Sequence, residues 1–164
     1  MVPGGRSSTG PRATVFEIER LTARTASPED ADLYFDLWTD PRVMSNVGFP
    51  KGLPITREEI RARLARQSGS ELDRLLVVVV RATGEAAGEC MMHRPDAEGV
   101  ARTDVKLLPR HWGRGYGVEV KRAMLAHLFA RTDCVAIEAT PNVGNAASIR
   151  MQEAVGGDRV AEGV

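Results

Sequence analysis

Cysteine is nearly absent: the 164-residue chain carries only Cys90 and Cys134. Neither has the spacing of a redox pair or a metal cluster, so buried, reduced thiols are expected. The three histidines are dispersed, which argues against a zinc site. Charge of one sign is also missing. Lys+Arg and Asp+Glu both number 22, for a formal net charge of zero, so no broad basic field draws in nucleic acid. Long apolar runs are absent too. The longest, Leu75 to Val80, is six residues, far short of a membrane span. No apolar core of the secretory type stands near Met1. These absences point to a cytoplasmic protein without metal, membrane or nucleic-acid partners.

The length suits one domain with a real core. Residues 1–13, rich in Gly, Ser, Pro and Arg, are expected to be a flexible tail, leaving 14–164 as the domain. Val15 to Ala23 alternates apolar and polar residues, as a half-buried strand does. Ser27-Pro28-Glu29-Asp30 opens a helix reaching Trp38, with Leu33, Leu37 and Trp38 toward a core. Asn46 to Pro54 is a loop. Thr56 to Glu59 forms a capping box for a helix ending near Gln67. Strands follow at Leu75–Val80, Glu85–Met92 and Thr103–Leu108. A helix from Val118 to Thr132 carries Val120, Met124, Leu125 and Leu128 at core spacing. A strand over Cys134–Thr140 and a helix starting at Asn145 and stopping at Gly156 complete the order β-α-α-β-β-β-α-β-α. An α/β fold follows, a mixed sheet with helices on both faces.

The most informative segment joins the Thr103–Leu108 strand to the Val118–Thr132 helix: Trp112-Gly113-Arg114-Gly115-Tyr116-Gly117. Glycines let backbone approach a bulky ligand and accept unusual dihedrals. The helix start offers N–H groups without intrahelical partners, which together with the helix dipole favour a phosphate. Arg114 adds a forked, charged donor. The spacing fits neither the dinucleotide fingerprint nor the nucleotide-triphosphate P-loop.

This loop, followed by Glu119, resembles the acyl-CoA loop of the GNAT N-acetyltransferases, Gln/Arg-x-x-Gly-x-Gly/Ala, with Gly115 and Gly117 in its last two fixed places. Trp112 stands in the first place, as in the Rim-type branch that includes ribosomal-protein N-acetyltransferases. Downstream, Asn145-Ala146-Ala147-Ser148 and Gly156 resemble the family's Asn-x-x-Ser helix start and terminal glycine. The resemblance implies a mostly antiparallel central sheet. The family usually continues with two more strands. Here there is room for one short strand from Arg159, so either the sequence is truncated or a partner completes the edge, and a homodimer stays open.

The resemblance also implies transfer of an acetyl group from acetyl-CoA to a primary amine, on a protein N-terminus or a small molecule. Cofactor contacts are then expected from Trp112, Gly113, Arg114, Gly115, Tyr116, Gly117 and Val118, and from Asn145 and Ser148. A strand N–H near Lys106 or Leu107 would polarise the thioester carbonyl. Ser148 leads as partner of the departing thiolate. The base is open among Glu89, Asp104 and His93. Glu119, Lys121 and Arg122 read as a solvated helix face, and His111 as an exposed loop residue. A non-catalytic acyl-CoA-binding module is the alternative function; an NAD-dependent enzyme is disfavoured by the glycine spacing.

Overall fold

The computed structural model describes residues 12–69, 71–139 and 146–157. Among these residues six strands lie side by side in chain order: β1 (Thr14–Glu17), β2 (Leu21–Thr25), β3 (Leu76–Val80), β4 (Ala86–His93), β5 (Val100–Leu107) and β6 (Ala136–Glu138). Every neighbouring pair is antiparallel except β5 and β6, which are parallel. A parallel step needs a crossover, and the long helix α4 (Tyr116–Arg131) supplies it.

The central strand β3 reads Leu-Val-Val-Val-Val because both of its faces are covered. Leu76, Val78 and Val80 meet Cys90 and Met92 of β4 under Val120, Met124 and Leu128 of α4. Val77 points the other way, into a core built by Tyr34, Leu37 and Trp38 of α1 (Ala31–Trp38) with Ile60 and Leu64 of α3 (Arg57–Ala65). Both helix starts lie where the sequence places them, and the Thr56 cap acts as read, whereas the Ser27 side chain makes no cap hydrogen bond. Thr56 Oγ1 accepts from Glu59 N–H while the Glu59 carboxylate accepts from Thr56 N–H. Before α1, the Asp30 carboxylate accepts from Ser27 N–H and from both terminal nitrogens of Arg24. Burial opposes the Asp30 charge, but these donors prevail and hold its carboxyl below the ordinary range. The last helix, α5 (Ala146–Ala154), packs on α4, where Arg122 donates to the Ala154 carbonyl at 3.3 Å.

The structure departs from the sequence reading in three places. The single strand expected over Val15–Ala23 is a hairpin, β1 and β2, closed by Ile18 N–H to Leu21 O at 2.9 Å. Its turn, Ile18-Glu19-Arg20-Leu21, contains no Gly, Pro, Asn or Asp to announce it. A short helix, α2 (Pro41–Met44), follows α1, opened by the Asp40 side chain accepting from Arg42 N–H. Strand β6 is shorter than Cys134–Thr140, because Cys134 N–H bonds Thr132 Oγ1 and Val135 N–H bonds Gly99 O before β5 pairing begins. Most of the expected tail, and the strand expected from Arg159, lie outside the described residues. Within the described end, Ala13 N–H donates to Thr25 Oγ1 at 2.8 Å.

Gly88 sets the spacing of β4 and β5. A Cβ there would lie 2.2 Å from the Lys106 carbonyl oxygen and 2.8 Å from Leu107 Cα, both main-chain atoms. Gly88→Ala is therefore expected to lower stability by about 1–3 kcal/mol, the usual cost of overpacking. Urea unfolding measures it, and an unchanged midpoint would contradict this packing.

Candidate active site

Strand β5 pairs with β4 along its length, from His93–Arg102 to Gly88–Leu107. It pairs with β6 over three positions only, the last being Arg102–Glu138. From Thr103 to Leu107, the β6-side edge of β5 has no strand partner among the described residues. Alternation decides which main-chain groups face this opening. Leu108 N–H bonds Ala87 O at 2.8 Å on the β4 side. The N–H groups of Lys106 and Asp104 therefore also face β4, whereas those of Leu107, Val105 and Thr103 face the opening. Near the expected Lys106 or Leu107 position, the N–H groups that face the opening are those of Leu107 and Val105. The Lys106 amide is engaged in the sheet.

The strand leads into the glycine loop, where Gly113 and Gly115 adopt φ of +75° and +80°. These dihedrals suit glycine and are strained for other residues. Gly115 caps α4, and the first intrahelical bond runs from Glu119 N–H to Gly115 O at 3.1 Å. The N–H groups of Tyr116, Gly117 and Val118 therefore have no helical partner. Gly117 sits inside the helix, so it contributes a missing side chain, not a special dihedral. Tyr116 is buried against the sheet. Trp112 is exposed, and its Nε1 donates to Leu107 O at 2.9 Å, tying the loop to the strand end. Arg114 is exposed and forms no ion pair among the described residues.

Sequence reasoning missed Arg20. Its guanidinium lies 4.7 Å over the Tyr116 ring and donates to Glu119 Oε1 at 2.7 Å. With Ile18, Gly115, Val118 and Arg122 it lines a cleft of about 390 Å³ beside the helix start. No local signal could reveal this, because Arg20 and Glu119 are far apart in the chain.

On the opposite face of the sheet, three candidate residues form one cluster. Glu89 is 3% exposed and accepts from Trp38 Nε1 at 2.9 Å. Lys106 Nζ lies 3.6 Å from Glu89 Oε1 and also contacts the Asp104 carboxylate. Burial pushes the Glu89 carboxyl up, with Lys106 and Trp38 pulling the other way. Burial also works against the Lys106 ammonium, but Glu89 and Asp104 outweigh it and raise its pKa. Asp104 is the accessible member, its side chain 45% exposed. Nearby, a broad cavity of about 780 Å³ opens between Asp36–Arg42 and Leu108–Arg110, bordered by Asp36, Asp40, Arg42 and Arg110.

The remaining candidates fall elsewhere. His93 is exposed at the end of β4, with Nδ1 3.4 Å from Asp73, about 13 Å along the strand from Glu89. His111, expected to be exposed, is 4% exposed, packed near Tyr116 with Nε2 3.5 Å from Glu85. Lys121, expected on a solvated face, is buried, because its side chain turns under the sheet to contact Thr103 Oγ1. Asn145 lies outside the described residues, and of Ser148 only the backbone, in the first turn of α5, is described. Among the described residues no cluster of three or more metal-binding side chains occurs, and no helix is long and apolar enough to cross a membrane.

The chain is similar in sequence and in fold to known proteins. The chain is 30% identical over 146 residues to an uncharacterized protein, YkkB, of Bacillus subtilis, covering 87% of this chain and 84% of that one. A Bacillus licheniformis protein described as an uncharacterized N-acetyltransferase, p20, is 27% identical over 135 residues, 81% and 76% of the two chains. Among solved structures, a GNAT-family acetyltransferase from Bacillus anthracis superposes with a TM-score of 0.77 at 23% identity, covering 88% of this chain and 84% of that chain. A spermidine N-acetyltransferase from Vibrio cholerae, solved with CoA and spermine, gives 0.72 at 18% identity, covering 84% and 80%. The aminoglycoside acetyltransferase AAC(6')-Ib, solved with ribostamycin and coenzyme A, gives 0.71 at 18%, covering 87% and 86%. A family profile described as the acetyltransferase (GNAT) domain matches residues 20–158. With that match over most of its length, on the sheet and loop described above, the chain belongs to the GNAT family of acetyltransferases.

Proposed function

We propose that this enzyme moves an acetyl group from acetyl-CoA to a primary amine, using the opening beside β5 as its cofactor slot. One observation carries the reading: the β5 edge, without a strand partner among the described residues, leads directly to the α4 start, whose first N–H groups have no helical partner. Val105 offers its N–H and carbonyl, and Leu107 its N–H, its carbonyl being held by Trp112 Nε1, along which an extended amide-bearing arm can pair like an added strand. Tyr116, Gly117 and Val118 offer N–H donors to a diphosphate, with Arg114 beside them. At the neighbouring cleft Arg20 is paired with Glu119, so Arg122 supplies the net positive charge where an anionic cofactor would leave the protein. Acetyl-CoA supplies the activated thioester.

The chain's own groups meet the chemical needs. The Val105 or Leu107 N–H, facing the opening, polarises the carbonyl where negative charge develops. Asp104 takes the proton of the attacking amine. It is the accessible carboxylate of the cluster, on the face away from α4. Lys106, held as an ammonium by two carboxylates, and Glu89, fixed by Trp38, keep Asp104 in place. The amine nitrogen bonds to the carbonyl carbon, the C–S bond breaks, and the thiolate leaves as CoA. We assign to the Ser148 hydroxyl a hydrogen bond that stabilises this thiolate, and the one proton released by the amine balances the CoA thiol that forms. The two unpaired cysteines fit a reducing, cytoplasmic setting.

For the acceptor we favour a small, positively charged amine. The neighbours solved with spermine and ribostamycin support that class, and the accessible carboxylates Asp104 and Asp36 would attract it. Trp112, in the position where the Rim-type branch carries tryptophan, favours the other acceptor, a protein N-terminus. A panel containing polyamines, aminoglycosides and peptide N-termini separates them, with amine-dependent release of CoA thiol as the signal. Turnover on peptides alone would reverse our preference.

Two variants test the parts separately. Asp104→Asn is expected to reduce kcat by about 10²–10⁴-fold, the usual contribution of a general base, while calorimetric CoA affinity stays near wild type. Undiminished kcat would remove Asp104 from the reaction. Gly117→Val places a branched side chain at the diphosphate donors and is expected to weaken CoA binding at least about tenfold, or ~1.4 kcal/mol. A folded variant with wild-type affinity would count against the loop.

A further inference from the structure

We propose that Lys121 is a self-acetylation site, its Nζ taking the acetyl group of acetyl-CoA from beneath the β5–β6 opening. The inference rests on the cofactor placement proposed above.

The chain carries only three lysines, Lys51, Lys106 and Lys121, among 22 basic residues. Their settings differ sharply. Lys51 is exposed on the loop after α2. Lys106 lies between the carboxylates of Glu89 and Asp104, which keep it protonated and non-nucleophilic. Lys121 is 3% exposed, and among the described residues its Nζ hydrogen-bonds a neutral group, Thr103 Oγ1. Burial lowers its pKa to about 8, with Asp104 pulling weakly the other way. Near that pH a large share of the side chain is the neutral amine, the form that attacks carbonyls.

The position of the amine is as informative as its charge. Thr103 is the first β5 residue beyond the last β5–β6 pair, Arg102–Glu138. It pairs with Met92, whose side chain belongs to the core under α4, so Thr103 also looks toward α4. Lys121 Nζ therefore sits where the opening begins. Val105, with an N–H facing the opening, is two residues on, about 7 Å along the strand. A thioester is planar. If its carbonyl oxygen accepts from this strand edge, its plane lies close to that of the sheet. One of its faces then looks toward Asp104 and the acceptor side. The other looks toward α4 and Lys121.

The step balances without another reactant. The neutral Nζ bonds to the carbonyl carbon, and the C–S bond breaks with its electron pair leaving on sulfur. The proton released from nitrogen goes to that thiolate. The products are Nε-acetyl-Lys121 and CoA thiol. The exchange also replaces a buried ionisable amine by a neutral amide, which burial favours.

The test uses the full chain with acetyl-CoA and no acceptor amine, at a pH near 8. Acetyl occupancy of each lysine is read by peptide mass mapping, and CoA binding by calorimetry on the same preparation. Acetylation is expected at Lys121, at least about tenfold faster than at Lys51 or Lys106 because the bound thioester is held beside it. Added CoA should slow it by competition. Lys121→Arg keeps a cation and should abolish the label while still binding CoA. Clear CoA binding with no acetyl on Lys121, or labelling led by exposed Lys51, overturns the proposal. Absence of CoA binding overturns the cofactor placement and this proposal together.

Discussion

The parting of β5 from β6 after three residue pairs is the constraint on which the site depends. Inside a sheet, each strand satisfies its backbone groups on both sides. Here the β6-side edge of β5 runs from Thr103 to Leu107 with no strand partner among the described residues, directly below a helix start with its own unpartnered donors. The parallel connection accounts for the helix start. A crossover must leave the end of β5, reverse direction and pack back on the sheet. The glycine loop makes that reversal, with Gly113 and Gly115 taking dihedrals that side chains resist.

The sheet also separates two chemical environments. Toward α1 and α3 lie carboxylates and a lysine held as a cation, with Asp104 reaching solvent. Toward α4 the lining is largely apolar, with Lys121 on Thr103 near the opening and His127 paired with Glu71 further along the helix. On the proposed placement, a thioester in the opening would meet an acid cluster on one side and a lone buried amine on the other. Turnover and self-modification would then be two outcomes of one geometry, set by which nitrogen arrives first.

Much of this was legible in the sequence. The glycine loop, both helix-start signals, the apolar β3 and the α4 core stripe all act through neighbours within a few residues, so local pattern finds them. The hairpin at Ile18–Leu21 was not legible, since its turn uses ordinary residues. Lys121 and His111 were misplaced for a different reason. Their burial depends on Thr103 and on Glu85 and Tyr116, contacts made by strand register and loop path. Glu89, Asp104 and Lys106 were each visible as polar residues on strands. Only the pairing of Glu89 with Lys106 across β4 and β5 shows that they form one cluster. Arg20 gave no sign at all, because its partners Tyr116 and Glu119 are distant from it in the chain.

Residue-resolved amide hydrogen exchange with and without CoA tests the central claim most directly. The account expects added protection at Val105 and Leu107 and at Tyr116, Gly117 and Val118, while the Lys106 amide, already bonded to β4, stays unchanged. Binding of CoA with no protection at these positions, or with protection uniform along β5, would contradict it.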